Sequence, residues 1–209
     1  KATVVLHKGN HDTVTRVLDI FPGFHEGPLL GLAVDLGSTT IAAHLCSLAD
    51  GSVLASSGLM NPQIRFGEDL MSRVSYAMMN PGGDVEMTRA VREAIDTLAA
   101  GIAAEAGIEQ AAIYEIVFVC NPVMHHLLLG IDPVELGQAP FALAISGSMA
   151  LPARDLNLSH VSPAAQVYVL PCIAGHVGAD AAAVALSEEP GKSEDMVLIV
   201  DVGTNAEIL

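Results

Sequence analysis

The chain has 209 residues, of which 51% are hydrophobic, so it is long and apolar enough to bury a sizeable core. Its net charge of -15 excludes the basic surface that nucleic acid and anionic lipid headgroups attract. No apolar run reaches the roughly 20 residues that a membrane helix needs. From the charge we predict no nucleic-acid partner, and from the charge and the short apolar runs we predict no membrane location.

The cysteines, Cys46, Cys120 and Cys172, lie far apart and include no Cys-x-x-Cys pair, which argues against a zinc or iron–sulfur site built from this segment. We expect Cys46 and Cys120 to be buried free thiols, since both lie in apolar runs. The odd cysteine count and the lack of a signal peptide indicate a cytoplasmic protein. Because the chain starts at Lys1 and ends in what resembles a new strand, we interpret it as a segment of a longer protein.

Residues 1–30 contain two short predicted strands and no chemistry-bearing motif, so we interpret them as a linker or the end of a preceding domain. We assign residues 31–209 to a single lobe. A three-stranded meander is predicted over residues 30–59, with Asp50-Gly51 as a strong hairpin signal.

Helices and strands alternate after the meander. Apolar spacing predicts helices over residues 67–79, 84–106, 122–129 and 178–186, and strands over residues 113–120, 166–170 and 196–200. Residues 130–165 are predicted to be irregular because prolines interrupt them. Helical spacing favours a core position for Met71, Met78 and Met79, and we expect Asp84 and Gly107 to cap the second helix. This order indicates an α/β domain with a mixed sheet.

Two turns of the chain share one build, in which a buried strand ends in Asp and is followed by x-Gly-[Ser/Thr]-[Thr/Asn]. They are Asp35-Leu36-Gly37-Ser38-Thr39-Thr40 and Asp201-Val202-Gly203-Thr204-Asn205. Glycine lets backbone N–H groups approach an anion closely, and the hydroxyl adds a donor. The Asp suits an outer ligand of Mg²⁺ that acts through water. One such turn alone is typical of an ordinary hairpin, but the repeat favours phosphate binding.

The pair of turns resembles the two phosphate loops of the superfamily that includes actin, sugar kinases, acetate kinase and the seventy-kilodalton chaperones. The resemblance implies an actin-like (ribonuclease H-like) ATPase lobe that is truncated in its second lobe. It implies Mg²⁺ at Asp35 and Asp201, and ATP at Asp35, Gly37, Ser38, Thr39, Thr40, Gly203, Thr204 and Asn205. Asp201 and Asp180 are the candidate catalytic residues. Asp180 would orient the attacking water or the Mg²⁺ shell, or it would only cap its helix.

Further strings resemble the ATPase domain of the reductive activators of corrinoid proteins, over roughly residues 30–209. These strings include Asn61-Pro62-Gln63, Gly67-Glu68-Asp69-Leu70-Met71-Ser72-Arg73, Asn121-Pro122-Val123-Met124-His125-His126 and Pro171-Cys172-Ile173-Ala174-Gly175-His176.

This family resemblance implies an ATP-dependent activator that returns Co(II) corrinoid to Co(I) in a methyltransferase system. The electron would come from an N-terminal [2Fe-2S] domain, and the adenosine-binding half would follow residue 209, so both lie outside this segment. We therefore expect the segment alone to be inactive. The implied partner is a corrinoid protein, and the implied assembly is a homodimer. The alternatives are a small-molecule kinase of the same superfamily and a non-catalytic nucleotide-sensing module.

Several polar residues leave two interpretations open. His125 and His126 are either metal or corrinoid contacts or part of helix packing and capping. His176 lies beside glycines and either contacts solvent or lies at the edge of a phosphate site. Asn61, Arg65 and Asp69 either line the cleft or cap a helix.

Overall fold

The structure is a computed structural model that describes residues 1–9, 14–192, 195–202 and 206–208. Its strands are β1 (Ala2–Lys8), β2 (Thr15–Pro22), β3 (Leu30–Leu36), β4 (Thr40–Ser47), β5 (Val53–Met60), β6 (Ile113–Cys120), β7 (Met149–Pro152), β8 (Gln166–Val169), β9 (Val200–Val202) and β10 (Ala206–Ile208). Its helices are α1 (Leu70–Met79), α2 (Gly83–Ala106), α3 (Pro122–Leu129) and α4 (Ala179–Glu188). Short 3-10 turns lie at Pro62–Phe66, Gln110–Ala112, Val134–Gly137, Ala153–Leu156 and Pro190–Lys192.

A six-stranded mixed sheet in the order β5-β4-β3-β6-β8-β7 forms the centre of the fold. Strands β3, β6 and β8 run parallel, whereas β4, β5 and β7 are antiparallel to their neighbours. The predicted α/β class, with a mixed sheet and flanking helices, is therefore confirmed. The carboxyl ends of the three parallel strands meet at one edge of the sheet, where α/β proteins commonly bind their ligands.

One face of this sheet carries the core. Side chains alternate along a strand, so β3 and β4 bury Val34, Leu36 and Ile41 on one face while Ala33 and Asp35 are exposed on the other. Helices α2 and α3 cover the buried face. Helical spacing predicts a buried stripe on α2 of Val91, Ala94, Ile95, Leu98 and Ile102, and this face is inward: four are buried and Ala94 is half-buried.

The hairpin of β1 and β2 docks beside the start of the parallel strands through polar contacts. His7 Nε2 lies 3.1 Å from Glu115 Oε2, and the Tyr114 hydroxyl donates to Asp19 Oδ2 at 2.9 Å. Arg16 Nη1 also donates to Gln166 Oε1 at 3.2 Å. These contacts tie the first two strands to β6 and β8.

The prediction that Met71, Met78 and Met79 lie in the core is wrong, because they are 45%, 59% and 76% exposed. Helical spacing also predicts Leu70, Val74 and Ala77 on the inward face of α1, and these three do pack inward. Together with Arg73 they form a helical i, i+3, i+4, i+7 stripe. Arg73 is fully buried, and its polar character hides its inward position from an apolar pattern.

Several boundaries of the helices and strands were also tested by the structure. Asp84 is not the N-cap of α2: the helix starts at Gly83, and Gly82 caps it in a left-handed conformation with φ +83°. Gly107 ends α2 as predicted, with its N–H bonded to the carbonyls of Ala103 and Ala104. In the region predicted to be irregular, β7 (Met149–Pro152) forms an edge strand that tolerates its proline.

The last strand was predicted over residues 196–200, but β9 begins only at Val200. Cys46 is half-buried rather than buried, since Ile41, Ala43 and Leu45 of the same strand take the core face. All three cysteines are free thiols. In the part of the chain that the structure describes, no helix has the length and hydropathy needed to cross a membrane.

Helix α3 buries both of its histidines. His126 Nδ1 lies 2.9 Å from the carbonyl oxygen of Pro122, and its Nε2 accepts the N–H of Ala144 at 3.1 Å, so both ring nitrogens serve helix packing. His125 is fully buried, and neither of its ring nitrogens has a partner. Among the described residues there is no group of three or more side chains suited to hold a metal ion. The hydrogen bonds of His126 and the burial of both rings favour helix packing for this pair.

The buried His125 predicts acid sensitivity. Burial, with a smaller contribution from the charge of His126, lowers the pKa of His125 from 6.5 to about 4. Below pH 6.5 the unfolded chain therefore carries a proton on this side chain, whereas the folded chain takes it up only near pH 4. The free energy of unfolding consequently falls as the pH drops from 6.5 to 4. We expect a loss of roughly 2 to 3 kcal/mol from this residue, measurable by urea unfolding at several pH values.

A His125→Leu variant should lose less stability over the same pH range. Replacement of His44, an exposed histidine on β4, by Gln serves as the control and should leave the pH dependence unchanged. An equal loss of stability in the wild type and in His125→Leu would contradict the assignment.

Candidate functional site

The candidate site lies at the edge where the parallel strands end. Leu36, the last residue of β3, pairs with Cys120, the last residue of β6. Burial raises the pKa of the Cys120 thiol, and Cys172, Asp180 and Asp35 raise it further through their charges, in that order. Strand pairing places Asp35 next to the end of β6, and the close approach of Gly178 to the Cys120 carbonyl places the start of α4, with Asp180, at the same edge, although the two carboxylates are distant in sequence.

The Gly37 turn links β3 to β4 at this edge and needs glycine at its first position. A Cβ added at Gly37 would lie 2.6 Å from the carbonyl oxygen of Thr40, closer than real contacts allow. Ser38 is buried, while Asp35, Thr39 and Thr40 are exposed. The predicted nucleotide-binding residues of the first turn thus form one compact hairpin with a solvent-facing side.

Three successive carbonyl groups of this turn are held from the protein side. Asn61 Nδ2 donates to the oxygen of Gly37 at 2.8 Å, and Arg73 Nη2 donates to the oxygen of Ser38. The backbone N–H of Asn61 donates to the oxygen of Thr39 at 2.8 Å, which ties the turn to the end of β5.

The fixed carbonyls determine where the amide groups of the turn point. In a planar trans peptide the C=O and the following N–H point in opposite directions. Because the carbonyls of Gly37 and Ser38 point at Asn61 and Arg73, the N–H groups of Ser38 and Thr39 point to the opposite side of the turn from these two side chains. Successive outward N–H groups form a concave site for an anion.

A buried polar network supports Asn61 and Arg73 in turn. Asn61, Gln63 and Arg73 are each fully buried. Arg73 donates through Nε to the oxygen of Gly67 at 3.0 Å and through Nη1 to Gln63 Oε1 at 3.3 Å. Gln63 Nε2 donates to the carbonyl of Met87 in α2 at 2.9 Å. The turn is therefore connected to the long helix that covers the core.

The two interpretations of the polar residues after the meander are now separated. Asn61 caps the 3-10 turn that follows β5, and its side chain also donates a hydrogen bond to the Gly37 turn. Asp69 caps α1 by accepting the N–H of Ser72 at 2.7 Å. Arg65 is exposed and lies over the Phe66 ring, 4.6 Å from its centroid, so it neither caps a helix nor supports the turn. Sequence reasoning assigned no role to Gln63 or Arg73.

His176 lines a cavity of about 500 Å³ together with Asp69, Asn121 and Gly175. Its ring packs against Phe141, with centroids 4.2 Å apart. The backbone there is close, because a Cβ at Gly175 would lie 2.1 Å from the carbonyl oxygen of Phe141. This cavity adjoins the starts of α1 and α3, so it offers a second recess beside the strand ends.

Helix α4 packs directly on the end of β6. A Cβ at Gly178 would lie 2.5 Å from the carbonyl oxygen of Cys120, so only glycine fits at this contact. Gly178 rather than Asp180 occupies the N-cap position of α4. Asp180 lies in the first turn of the helix, where its Oδ1 accepts the N–H of Ala181 at 2.9 Å. Its catalytic role stays a prediction.

The second predicted turn is described only at its flanks. β9 and β10 pair antiparallel, with Val202 opposite Ala206, so a strand precedes and follows the turn as expected. Gly203, Thr204 and Asn205 lie outside the described residues, and of Asp201 only the backbone is described. Their roles toward ATP and Mg²⁺ stay predictions.

Comparison with known proteins adds to this geometry. A family model described as the RACo middle region matches residues 30–192. The chain belongs to this family. It is 34% identical over 194 residues to the corrinoid activation enzyme RamQ of Eubacterium limosum, with 92% of this chain and 32% of that protein covered. The predicted resemblance to the reductive activators of corrinoid proteins is confirmed.

A solved structure agrees with the family. A structure described as a reductive activator for corrinoid, iron-sulfur protein superposes with a TM-score of 0.92 at 32% identity, covering 99% of this chain and 32% of that one. A putative 2-dehydro-3-deoxygalactonokinase from Sinorhizobium meliloti reaches a TM-score of only 0.42 at 14% identity, which is too low to bear on fold or function. The chain spans about a third of the length of the two activators it matches.

The contact at Gly37 predicts a position-specific cost of adding one methyl group. Gly37→Ala should lower the free energy of unfolding by about 1 to 3 kcal/mol, because the new Cβ meets the rigid backbone of Thr40. Gly101→Ala is the matched control: Gly101 is exposed in α2 with nothing within 4 Å of an added Cβ, so this variant should gain up to about 1 kcal/mol. Urea unfolding measures both, and equal effects would contradict the tight turn.

Proposed function

We propose that this chain is the nucleotide-binding part of an ATP-dependent activator that returns Co(II) corrinoid to Co(I) in a corrinoid methyltransferase system. The observation that carries the proposal is the Gly37 turn, whose outward N–H groups lie at the ligand-binding edge of a fold shared with a reductive activator. The names of the relatives, a corrinoid activation enzyme and a reductive activator, supply the reaction class.

The turn suits the phosphates of ATP. Outward amides of Ser38 and Thr39 would donate to phosphate oxygens, and the close approach at Gly37 leaves no side chain in the way. The second predicted turn, with Gly203, Thr204 and Asn205, would grip the same nucleotide from the other side. Thr40 begins β4 next to the first turn and would complete its hydroxyl-bearing rim.

Asp35 suits Mg²⁺ at this position. Mg²⁺ keeps several of its waters and takes one or two carboxylates together with substrate phosphates. A single exposed carboxylate near the end of β3 matches this preference for few protein ligands. The described residues contain no group of three or more His, Cys, Asp or Glu side chains that could hold a metal ion by themselves. Asp201 would supply the second carboxylate. Bound Mg²⁺ would neutralise charge on the phosphates, and Asp180 would orient water near them.

The remainder of the reaction would use parts outside this segment. We expect a [2Fe-2S] domain of the whole protein to supply the electron and an adenosine-binding region to complete the cleft. Reduction of corrinoid Co(II) is uphill, so ATP binding or hydrolysis would be coupled to it. The corrinoid protein is the expected partner. A homodimer and a cytoplasmic location are further expectations, and with a net charge of -15 we expect no nucleic-acid partner.

The experiment uses the full-length protein with its reductant and its corrinoid protein. We expect the Co(II) absorbance to decay only when Mg²⁺ and ATP are present. Asp35→Asn should lower this rate by about 10- to 100-fold, because a carboxylate of the Mg²⁺ shell is lost. Asp155→Asn is the control, since Asp155 is exposed on a 3-10 turn beside Arg154 and should leave the rate unchanged.

Two outcomes would contradict the proposal. Corrinoid reduction that proceeds at the same rate without ATP would show that ATP is not coupled to the reduction. An unchanged rate in Asp35→Asn would show that Asp35 does not hold the Mg²⁺ ion. Phosphorylation of a small molecule without any change in the corrinoid spectrum would favour the kinase alternative.

A further inference from the structure

Arg73 is a buried cation, and none of the described carboxylates lies within ion-pair distance of it. It is fully buried, and the groups that accept its hydrogen bonds are neutral: the carbonyls of Ser38 and Gly67, the Gln63 amide and the Met124 sulfur. No described residue forms an ion pair with it. Burial lowers the pKa of Arg73 to about 10 and outweighs the opposing charge of Asp69, so the side chain stays charged at neutral pH.

An unpaired buried charge is costly, so such charges normally have a counterion. Arg73 Nη2 donates to the Ser38 carbonyl, so the guanidinium and the proposed anion site lie on opposite sides of the Ser38–Thr39 peptide. The N–H on the other side of that peptide belongs to Thr39 and points outward. An anion bound by the turn would therefore lie across a single peptide from the guanidinium.

We propose that Arg73 is a positioning residue that fixes the Ser38–Thr39 peptide and provides the buried positive charge for a polyphosphate bound at the turn. A hydrogen bond to a carbonyl polarises its peptide and strengthens the N–H on the opposite side. A charged donor does this more than a neutral one, and the low dielectric of the interior preserves the effect. The inference rests on the proposed function, since it needs phosphate at this turn.

The neighbouring contacts explain why arginine is needed here. The Nε and both terminal nitrogens are each bonded to a different part of the chain, at Gly67, Gln63 and Ser38. The planar guanidinium holds these directions together, which a lysine ammonium cannot do. Lysine would retain the charge, and glutamine would retain some donors without the charge. The two substitutions thus separate charge from geometry.

The test measures nucleotide binding to the full-length protein by calorimetry, with Mg²⁺ATP, inorganic pyrophosphate and adenosine as separate probes. We expect Arg73→Gln to weaken Mg²⁺ATP and pyrophosphate binding by about 10- to 100-fold and to leave adenosine binding unchanged. It should also flatten the salt dependence of ATP binding. Arg73→Lys should recover part of the pyrophosphate affinity.

Arg92→Met is the matched control. Arg92 is another arginine whose pKa burial lowers, and its Nε donates to the Leu128 carbonyl at 2.9 Å, at the far end of α3 from the turn. This variant should retain the wild-type affinity for each probe. Thermal melting of all variants reports folding, and if Arg73→Gln does not fold, the pyrophosphate-induced rise in Tm is compared between Arg73→Lys and wild type, where a smaller rise is expected.

The outcomes separate the two proposals. Wild-type protein that binds neither Mg²⁺ATP nor pyrophosphate would overturn the proposed function itself. Wild-type binding together with unchanged pyrophosphate affinity in a folded Arg73→Gln would overturn only the role of Arg73. An equal loss of adenosine and pyrophosphate affinity would show a general structural role and would also overturn the inference. In the fallback comparison, an equal Tm rise in Arg73→Lys and wild type would do the same.

Discussion

The hydrogen bonds from Asn61 and Arg73 to the backbone of the Gly37 turn are the constraint on which the candidate site depends. They fix the carbonyls of two successive peptides toward the interior, and planarity then fixes the amides toward solvent. Side chains at the surface would hold these carbonyls less firmly, because water would compete for the same hydrogen bonds. Burial of Asn61, Gln63 and Arg73 makes these contacts rigid, at the cost of placing a charge inside the protein.

The sheet brings the remaining groups to this turn. Three parallel strands end at the same edge, so Asp35, Cys120 and the start of α4 become neighbours although they are far apart in sequence. Gly178 allows α4 to touch the end of β6 directly, which places Asp180 at the same edge. A second recess beside His176 opens next to it. The Gly37 turn and this recess therefore both lie at the edge where the parallel strands end.

Much of the fold follows from local patterns in the sequence. Runs of apolar residues locate β3 and β6, and the stripe of α2 is visible because most of its inward residues are apolar. The stripe of α1 is only partly visible: its apolar members Leu70, Val74 and Ala77 follow from their spacing, but the buried Arg73 does not, and exposed methionines resemble a core face. The Gly37 turn was found from its glycine and hydroxyl residues, whereas its supports were not. Their roles depend on contacts between β5, α1 and the turn, which spacing alone cannot reveal.

The central claim is that nucleotide phosphate binds at the outward amides of the Gly37 turn. The most direct measurement is an experimental structure of the full-length protein with Mg²⁺ and a non-hydrolysable ATP analogue. The account predicts phosphate oxygens about 3 Å from the backbone nitrogens of Ser38 or Thr39, with the carbonyls still bound to Asn61 and Arg73. Phosphates bound at another part of the protein, with the Gly37 turn facing only solvent, would contradict it.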